Sequence, residues 1–272
     1  MTNPLQQFFR QPKIYISLPS KGAYSQPGTI QGDPNKIPVY GMTGMDELMA
    51  KTPDALLSGE SSVKIIESCC PNIKNAWDLS SLDTELIFAS IRVATYGNSI
   101  TITHTCDGCG ESNEYDLDLS VMIAHFANCQ FDSTIVLDDI VIKIQPLSYK
   151  KKTDFALKNF RIQQKLSQIE VLEDMEIRNK EVVNLFRELG DMQNELYMSC
   201  VESVEANGQV VTEKKYIDEW LLNCDRIIFD KINKKVEENV FSWKAPKYPA
   251  TCGSCKKELE LGIELDQSNF FV

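Results

Sequence analysis

Two pairs of thiols, Cys106 with Cys109 in the middle of the chain and Cys252 with Cys255 near its end, each have two residues between the sulfurs. That spacing, with Gly108 or Gly253 in the turn, lets one tight knuckle aim both sulfurs at a single ion. Two such knuckles complete the tetrahedral four-thiolate shell that suits zinc. The flanks repeat as well: Leu117 and Ile263 each stand eleven residues after the first cysteine of their pair, and Leu119 and Leu265 thirteen. Each unit reads as strand, knuckle and strand, and together they read as a zinc ribbon. In a common ribbon the pairs lie about 15 to 20 residues apart, whereas 142 residues separate Cys109 from Cys252 here. The ribbon is therefore read as split by an insertion, the alternatives being an intersubunit site or two redox dithiols. Four thiolates leave no position open for water, so such a zinc is structural and metal catalysis is not expected.

Other reactive residues fall into blander patterns. His104 lies two residues before Cys106, where a strand points both to one side, but four cysteines already fill a shell and a surface role is the simpler reading. Cys69, Cys70, Cys129, Cys200 and Cys224 sit in or near apolar patterns, as free cysteines of a core do. No glycine-rich phosphate loop, nucleophile-elbow serine or helical His-Glu-x-x-His occurs. The residues offer no catalytic constellation.

Composition narrows the partners. With 28 Lys and Arg against 39 Asp and Glu, the net charge is -11, which repels a phosphate backbone and makes nucleic acid an unexpected partner. A nucleic-acid-binding ribbon remains the competing reading, but its basic clusters, 150–152 and Lys234-Lys235, resemble solvated helix ends. No run reaches the roughly 18 apolar residues of a membrane helix, and the polar, proline-punctuated start is unlike a signal peptide. Residence in a reducing cytoplasm follows, where thiols stay reduced unless a metal claims them.

The elements that must position the cysteines give an α+β fold. Residues 1–41 carry Pro4, Pro12, Pro19, Pro27, Pro34 and Pro38 and form an extended arm, whose apolar residues pack onto the body or a neighbour. Residues 42–98 read as a small helical region. A helix is expected from Thr43, with Met45, Leu48 and Met49 at helical spacing, then helices over 61–70 and 83–95, the last with a face of Leu86, Ile87, Ser90, Ile91 and Ala94. Strands over 99–105 and 113–119 flank the first knuckle, so 99–119 with 245–272 make the split ribbon. The insertion, 120–244, is mostly helical and starts with a β-hairpin over 134–147 that turns at Asp138-Asp139. A long helical stretch from Tyr149 is expected to end at Asn207-Gly208, with a shorter one over 213–238.

The N-terminal half also resembles the baseplate hub assembly proteins of T-even-like contractile-tailed bacteriophages. The likeness lies in Phe9-Arg10-Gln11-Pro12-Lys13, Leu18-Pro19-Ser20-Lys21-Gly22 and Ile37-Pro38-Val39-Tyr40-Gly41-Met42-Thr43. It continues in the run from Lys51-Thr52-Pro53 through Leu56-Leu57-Ser58-Gly59-Glu60, in Ile65-Ile66-Glu67-Ser68-Cys69-Cys70-Pro71, and in Ile91-Arg92-Val93-Ala94-Thr95-Tyr96-Gly97. The knuckles and Asn269-Phe270-Phe271 extend it, while the helical insertion matches in character alone. The resemblance implies a non-enzymatic protein that helps build a tail baseplate hub in the host cytoplasm. Its partners would be other hub proteins or the tape-measure protein, for which it could act as an assembly chaperone. Within the matching segment, Leu56 and Leu57 are an apolar pair at an expected helix end and are candidates for partner binding.

Overall fold

The computed structural model describes residues 4–51, 58–170 and 174–263. The chain divides into two compact units, Met1–Gln130 with Trp243–Val272, and Phe131–Ser242. Among the described residues no helix is long and apolar enough to cross a membrane.

In the first unit the proline-rich arm is held by backbone pairing. Strand β1 (Ile14–Ile16) runs antiparallel to β2 (Ile37–Val39), with Tyr15 opposite Pro38. Leu18, Ile37 and Val39 are buried. Farther along, the Gln31 N–H reaches the Asn72 carbonyl at 2.7 Å and the Lys74 N–H the Thr29 carbonyl at 2.8 Å. Arg10 fixes the beginning of the arm: its guanidinium donates to the carbonyls of Gly41 at 2.6 Å and Ser68 at 2.7 Å and lies 3.5 Å from the buried Asp46 carboxylate. The arm thus packs onto the body, although Leu5, Phe8, Phe9 and Tyr15 stay exposed.

Helices α1 (Gly44–Ala50), α2 (Glu60–Cys69) and α3 (Ser81–Tyr96) follow. Thr43 and Asp46 form a reciprocal capping box that starts α1. The expected apolar stripe of α1 is not its buried side, because Met45 and Leu48 are exposed while Asp46 and Ala50 are buried. Helix α2 ends ahead of Pro71, whose ring disfavours helical backbone at Cys70. Helix α3 buries Leu86, Ile87, Ser90 and Ile91 of its predicted face and leaves Ala94 half-buried, while Phe88 and Ala89 off that face are buried too, and it ends ahead of Gly97. Gly41 lies so close to α3 that a Cβ there would meet the Ala94 carbonyl oxygen at 2.9 Å.

A buried carboxyl joins arm and helix. Asp83 of α3 accepts from the Ser20 N–H at 2.9 Å and from the Ser20 hydroxyl. Burial drives its pKa from 3.8 up to about 6, while the two bonds from Ser20 pull the other way. Because the folded value lies above the unfolded one, the folded chain holds a proton that the unfolded chain has released. This group's contribution to stability is therefore greatest below the unfolded value, falls as pH rises through the window between the two, and is flat above it. The span corresponds to about 3 kcal/mol. Asp83→Asn, which keeps an acceptor for the Ser20 N–H, should remove that slope. Urea midpoints of both proteins at several pH values between 4 and 7 check it, and parallel curves would contradict it.

Strands β3 (Ser99–Thr105) and β4 (Ser112–Asp118) form the first knuckle hairpin, and α4 (Leu119–Asn128) follows directly, capped by the Asp118 carboxylate. This helix was not anticipated. Its Met122 and Phe126 are fully buried and it packs with α3, so residues 120–130 lie with the first unit rather than with the insertion.

The second unit is built on a four-stranded antiparallel sheet, β5 (Thr134–Leu137), β6 (Ile140–Ile144), β7 (Val201–Ala206) and β8 (Gln209–Val211), in that order. The β5–β6 hairpin is where the sequence places it. The long helical stretch is instead two helices, α5 (Tyr149–Glu170) and α6 (Met175–Cys200), the second capped by Asp174. Asn207-Gly208 does not end a helix: both residues have positive φ and turn β7 into β8. Asn-Gly is a strong signal for such a hairpin turn, and Val201 and Val204 ahead of it are β-branched residues that favour a strand. Helices α7 (Lys214–Asn223) and α8 (Arg226–Ser242) replace the single stretch over 213–238. Ile142, Ile144, Val201, Ile217, Leu221 and Ile232 form the core of this unit. Its ends are pinned together, since the Asn239 side chain accepts from the Asp132 N–H and donates to the Asp132 carbonyl, both at 2.9 Å.

Candidate metal centre

The second knuckle hairpin consists of β9 (Lys247–Thr251) and β10 (Glu258–Gly262). It copies the first in register: Thr105 pairs with Ser112, and Thr251 with Glu258, in each case the residue before the first cysteine with the residue six after it. The loops match bond for bond. In one, the Cys106 N–H reaches the Glu111 carbonyl and the Gly110 N–H the Cys106 carbonyl; in the other, the Cys252 N–H reaches the Lys257 carbonyl and the Lys256 N–H the Cys252 carbonyl. Each loop needs left-handed backbone four residues after its first cysteine. Gly110 supplies it with φ +73° and Lys256 with φ +62°, a region costly for a residue with a Cβ. The sheets remain separate two-stranded pairs, linked by the Tyr248 hydroxyl, which donates to the Asp118 carbonyl at 3.1 Å. Leu117 and Ile263, matched in the sequence, are both buried, and Leu265 lies outside the described residues.

This duplication brings the four sulfurs together. The sulfurs of Cys106, Cys109, Cys252 and Cys255 all lie within 4.8 Å of one another. The Cys106 to Cys255 and Cys109 to Cys252 separations, both between hairpins, are 3.7 Å. A disulfide would need about 2.05 Å, and all nine cysteines are free. Four sulfurs placed tetrahedrally at the zinc–sulfur distance of about 2.3 Å would be about 3.8 Å apart, so the donor set fits such an ion in number, chemistry and spacing. Cys106 and Cys252 are buried, whereas Cys109 and Cys255 face solvent.

The surroundings favour anionic sulfur at Cys252. Backbone N–H groups of Cys255 and then Ser254 point at it and hold its pKa down to about 6. The Gly108 N–H lies 3.4 Å from the Cys106 sulfur, and the Asn113 amide 3.6 Å from that of Cys252. The Tyr115 hydroxyl, on the same strand as Asn113, is buried and finds no hydrogen-bond partner among the described residues; burial and then the charge of the nearby thiols raise its pKa.

His104 sits opposite Asn113 in the hairpin and is not part of the sulfur cluster, which among the described residues consists of cysteines alone. Cys69, Cys70 and Cys200 are buried, with thiol pKa values pushed up mainly by desolvation. Cys129 and Cys224 are half-buried, Cys129 lying 3.5 Å from the His125 ring. Leu56 and Leu57 lie outside the described residues. Asn113 and Tyr115 went unnoticed in the sequence, although their place in the strand after the first knuckle puts them one alternation apart on a single face.

A comparison with curated proteins and one with solved structures returned no match. The family described as T4 bacteriophage base plate protein matches residues 42–272, a stretch that takes in both knuckles and most of both units, and the chain therefore belongs to that family of phage baseplate proteins.

Proposed function

We propose that the chain is a non-enzymatic structural or assembly protein of the baseplate hub, stabilised by one zinc ion on Cys106, Cys109, Cys252 and Cys255. The observation that carries this reading is the set of 3.7 Å sulfur separations between two knuckles of matching register and backbone hydrogen bonding, which suits a closed four-thiolate shell with no position for substrate or water. When bound, zinc supplies charge neutralisation for four converging thiolates and ties residues far apart in sequence. The chain's own contribution is the pair of knuckle hairpins, with backbone N–H groups aimed at the sulfurs. Membership of a baseplate family points to contacts with other baseplate proteins.

One contact surface is proposed at the segment holding Leu56 and Leu57. In sequence it follows helix α1, whose Met45 and Leu48 are exposed. Replacing Leu56 and Leu57 together by Asp should abolish hub assembly in a phage complementation assay and capture of co-expressed hub proteins. Zinc content and far-UV circular dichroism should not change. Loss of solubility would mean that the pair is core, and normal assembly would remove the segment from the interface.

A further inference from the structure

We propose that Asn113 is a positioning residue of the metal centre, reaching from the first hairpin to hold the buried Cys252 sulfur and so setting how tightly the ion is retained. The proposal rests on the reading of the four thiolates as one zinc site. Cys106 and Cys252 are both withdrawn from water, and a thiolate in that position needs donors from the protein. Cys106 takes one from its own knuckle, the Gly108 N–H. Cys252, beside the backbone N–H groups of its own knuckle, takes one from the opposite hairpin, the Asn113 side-chain N–H at 3.6 Å. The same amide nitrogen lies 3.4 Å from the Glu111 carbonyl, so both of its neighbours are acceptors. Turning the amide over would set its oxygen against a carbonyl oxygen and a thiolate, which fixes its orientation.

Gly253 is the second half of the device. A Cβ on it would lie 2.8 Å from the Asn113 amide oxygen, so the amide would have to swing away from Cys252. Its backbone is not in the left-handed region, so a side chain here would act by displacing the Asn113 amide and not through backbone strain. The equivalent position in the first knuckle is Asp107, which shows that the loop itself tolerates one. The two knuckles thus depart from symmetry where the Asn113 side chain crosses from one to the other. A hydrogen bond to a ligating thiolate stabilises the sulfur lone pairs and orients the ligand, and losing such a partner lowers metal affinity by about 10- to 100-fold.

The test uses the full chain, with zinc affinity read by competition against a chromophoric chelator and with cobalt(II) as a spectroscopic substitute. Asn113→Ala should weaken zinc binding about 10- to 100-fold and move the sulfur-to-cobalt charge-transfer band to lower energy. Asn113→Asp should weaken it further, because it sets a carboxylate against the thiolate. Gly253→Ala should also weaken binding, yet the double variant Gly253→Ala with Asn113→Ala should be no worse than Asn113→Ala alone. Wild-type affinity and an unmoved band in Asn113→Asp would overturn the proposal while leaving the metal site standing, and so would a Gly253→Ala loss that persists fully without Asn113. A wild-type chain that took up neither zinc nor cobalt would overturn the metal reading and this proposal with it.

Discussion

Cys106→Ser and Cys252→Ser should each abolish stoichiometric zinc and destabilise the first unit to nearly the same extent, and the double variant should add little to either. The reason is that each change removes one of the two buried sulfurs of the one four-sulfur cluster, which the proposed ion would need whole. Once three ligands remain, the ion is no longer enclosed and the fourth has little left to hold. Structural four-ligand zinc contributes about 10 to 16 kcal/mol of apparent binding free energy in small peptides, which exceeds the whole stability of many domains. The two strand pairs around the sulfurs have few other means of staying together: apart from buried Leu117, Tyr248, Leu259, Leu261 and Ile263, their residues are largely exposed or half-buried. Metal analysis of the purified variants, with thermal unfolding in the presence and absence of a chelator, checks the expectation. Independent losses, each variant retaining half of two ions, would mean separate sites in the two knuckles.

Excising the second unit should leave the metal centre intact, provided that the cut respects helix α4. Replacing Phe131–Ser242 with a short Gly-Ser linker removes one compact unit, whose ends the Asn239 clamp on Asp132 already brings together. Closure of a shorter loop changes the entropy only slowly, by about 0.6 kcal/mol per halving of length. The shortened chain should bind one zinc and unfold cooperatively. Cutting instead from residue 121 to residue 244 removes Met122 and Phe126, which are fully buried. Loss of one buried aromatic side chain alone costs about 3 to 5 kcal/mol, so this second chain should be insoluble or lose its metal. Zinc stoichiometry and chemical unfolding of both chains decide the point. Equal behaviour of the two would show that α4 does not belong to the metal-bearing core.

What was legible in the sequence follows from how local each signal is. The cysteine pairs and the strands beside them could be read because the spacing and the flanking leucines repeat, and the structure repeats with them down to individual backbone bonds. Helix α3 and the β5–β6 hairpin were legible from periodicity and a turn. Helix α4 is hard to read because it is only ten residues long and follows a strand with no glycine or proline between them, and Asp118 serves both as the last residue of β4 and as the helix cap. The strand β7 was hidden behind 26 residues of helix that end without a glycine or proline, so the apolar spacing ran on through Cys200. On α1 the periodic residues were read correctly as helical, but their burial was not. A carboxylate, Asp46, takes the inner side because Arg10 and Ser68 supply partners from distant segments beside its local cap on Thr43, and no local pattern encodes those distant partners. Asn113 is of the same kind: its role depends on a sulfur 139 residues away.

Zinc-edge X-ray absorption on the full-length chain, purified without added metal, tests the central claim most directly. One zinc per chain with four sulfur neighbours at about 2.3 Å and no nitrogen or oxygen in the shell is the result this account predicts. A shell containing nitrogen or oxygen, or a chain that folds with no stoichiometric metal, would contradict it.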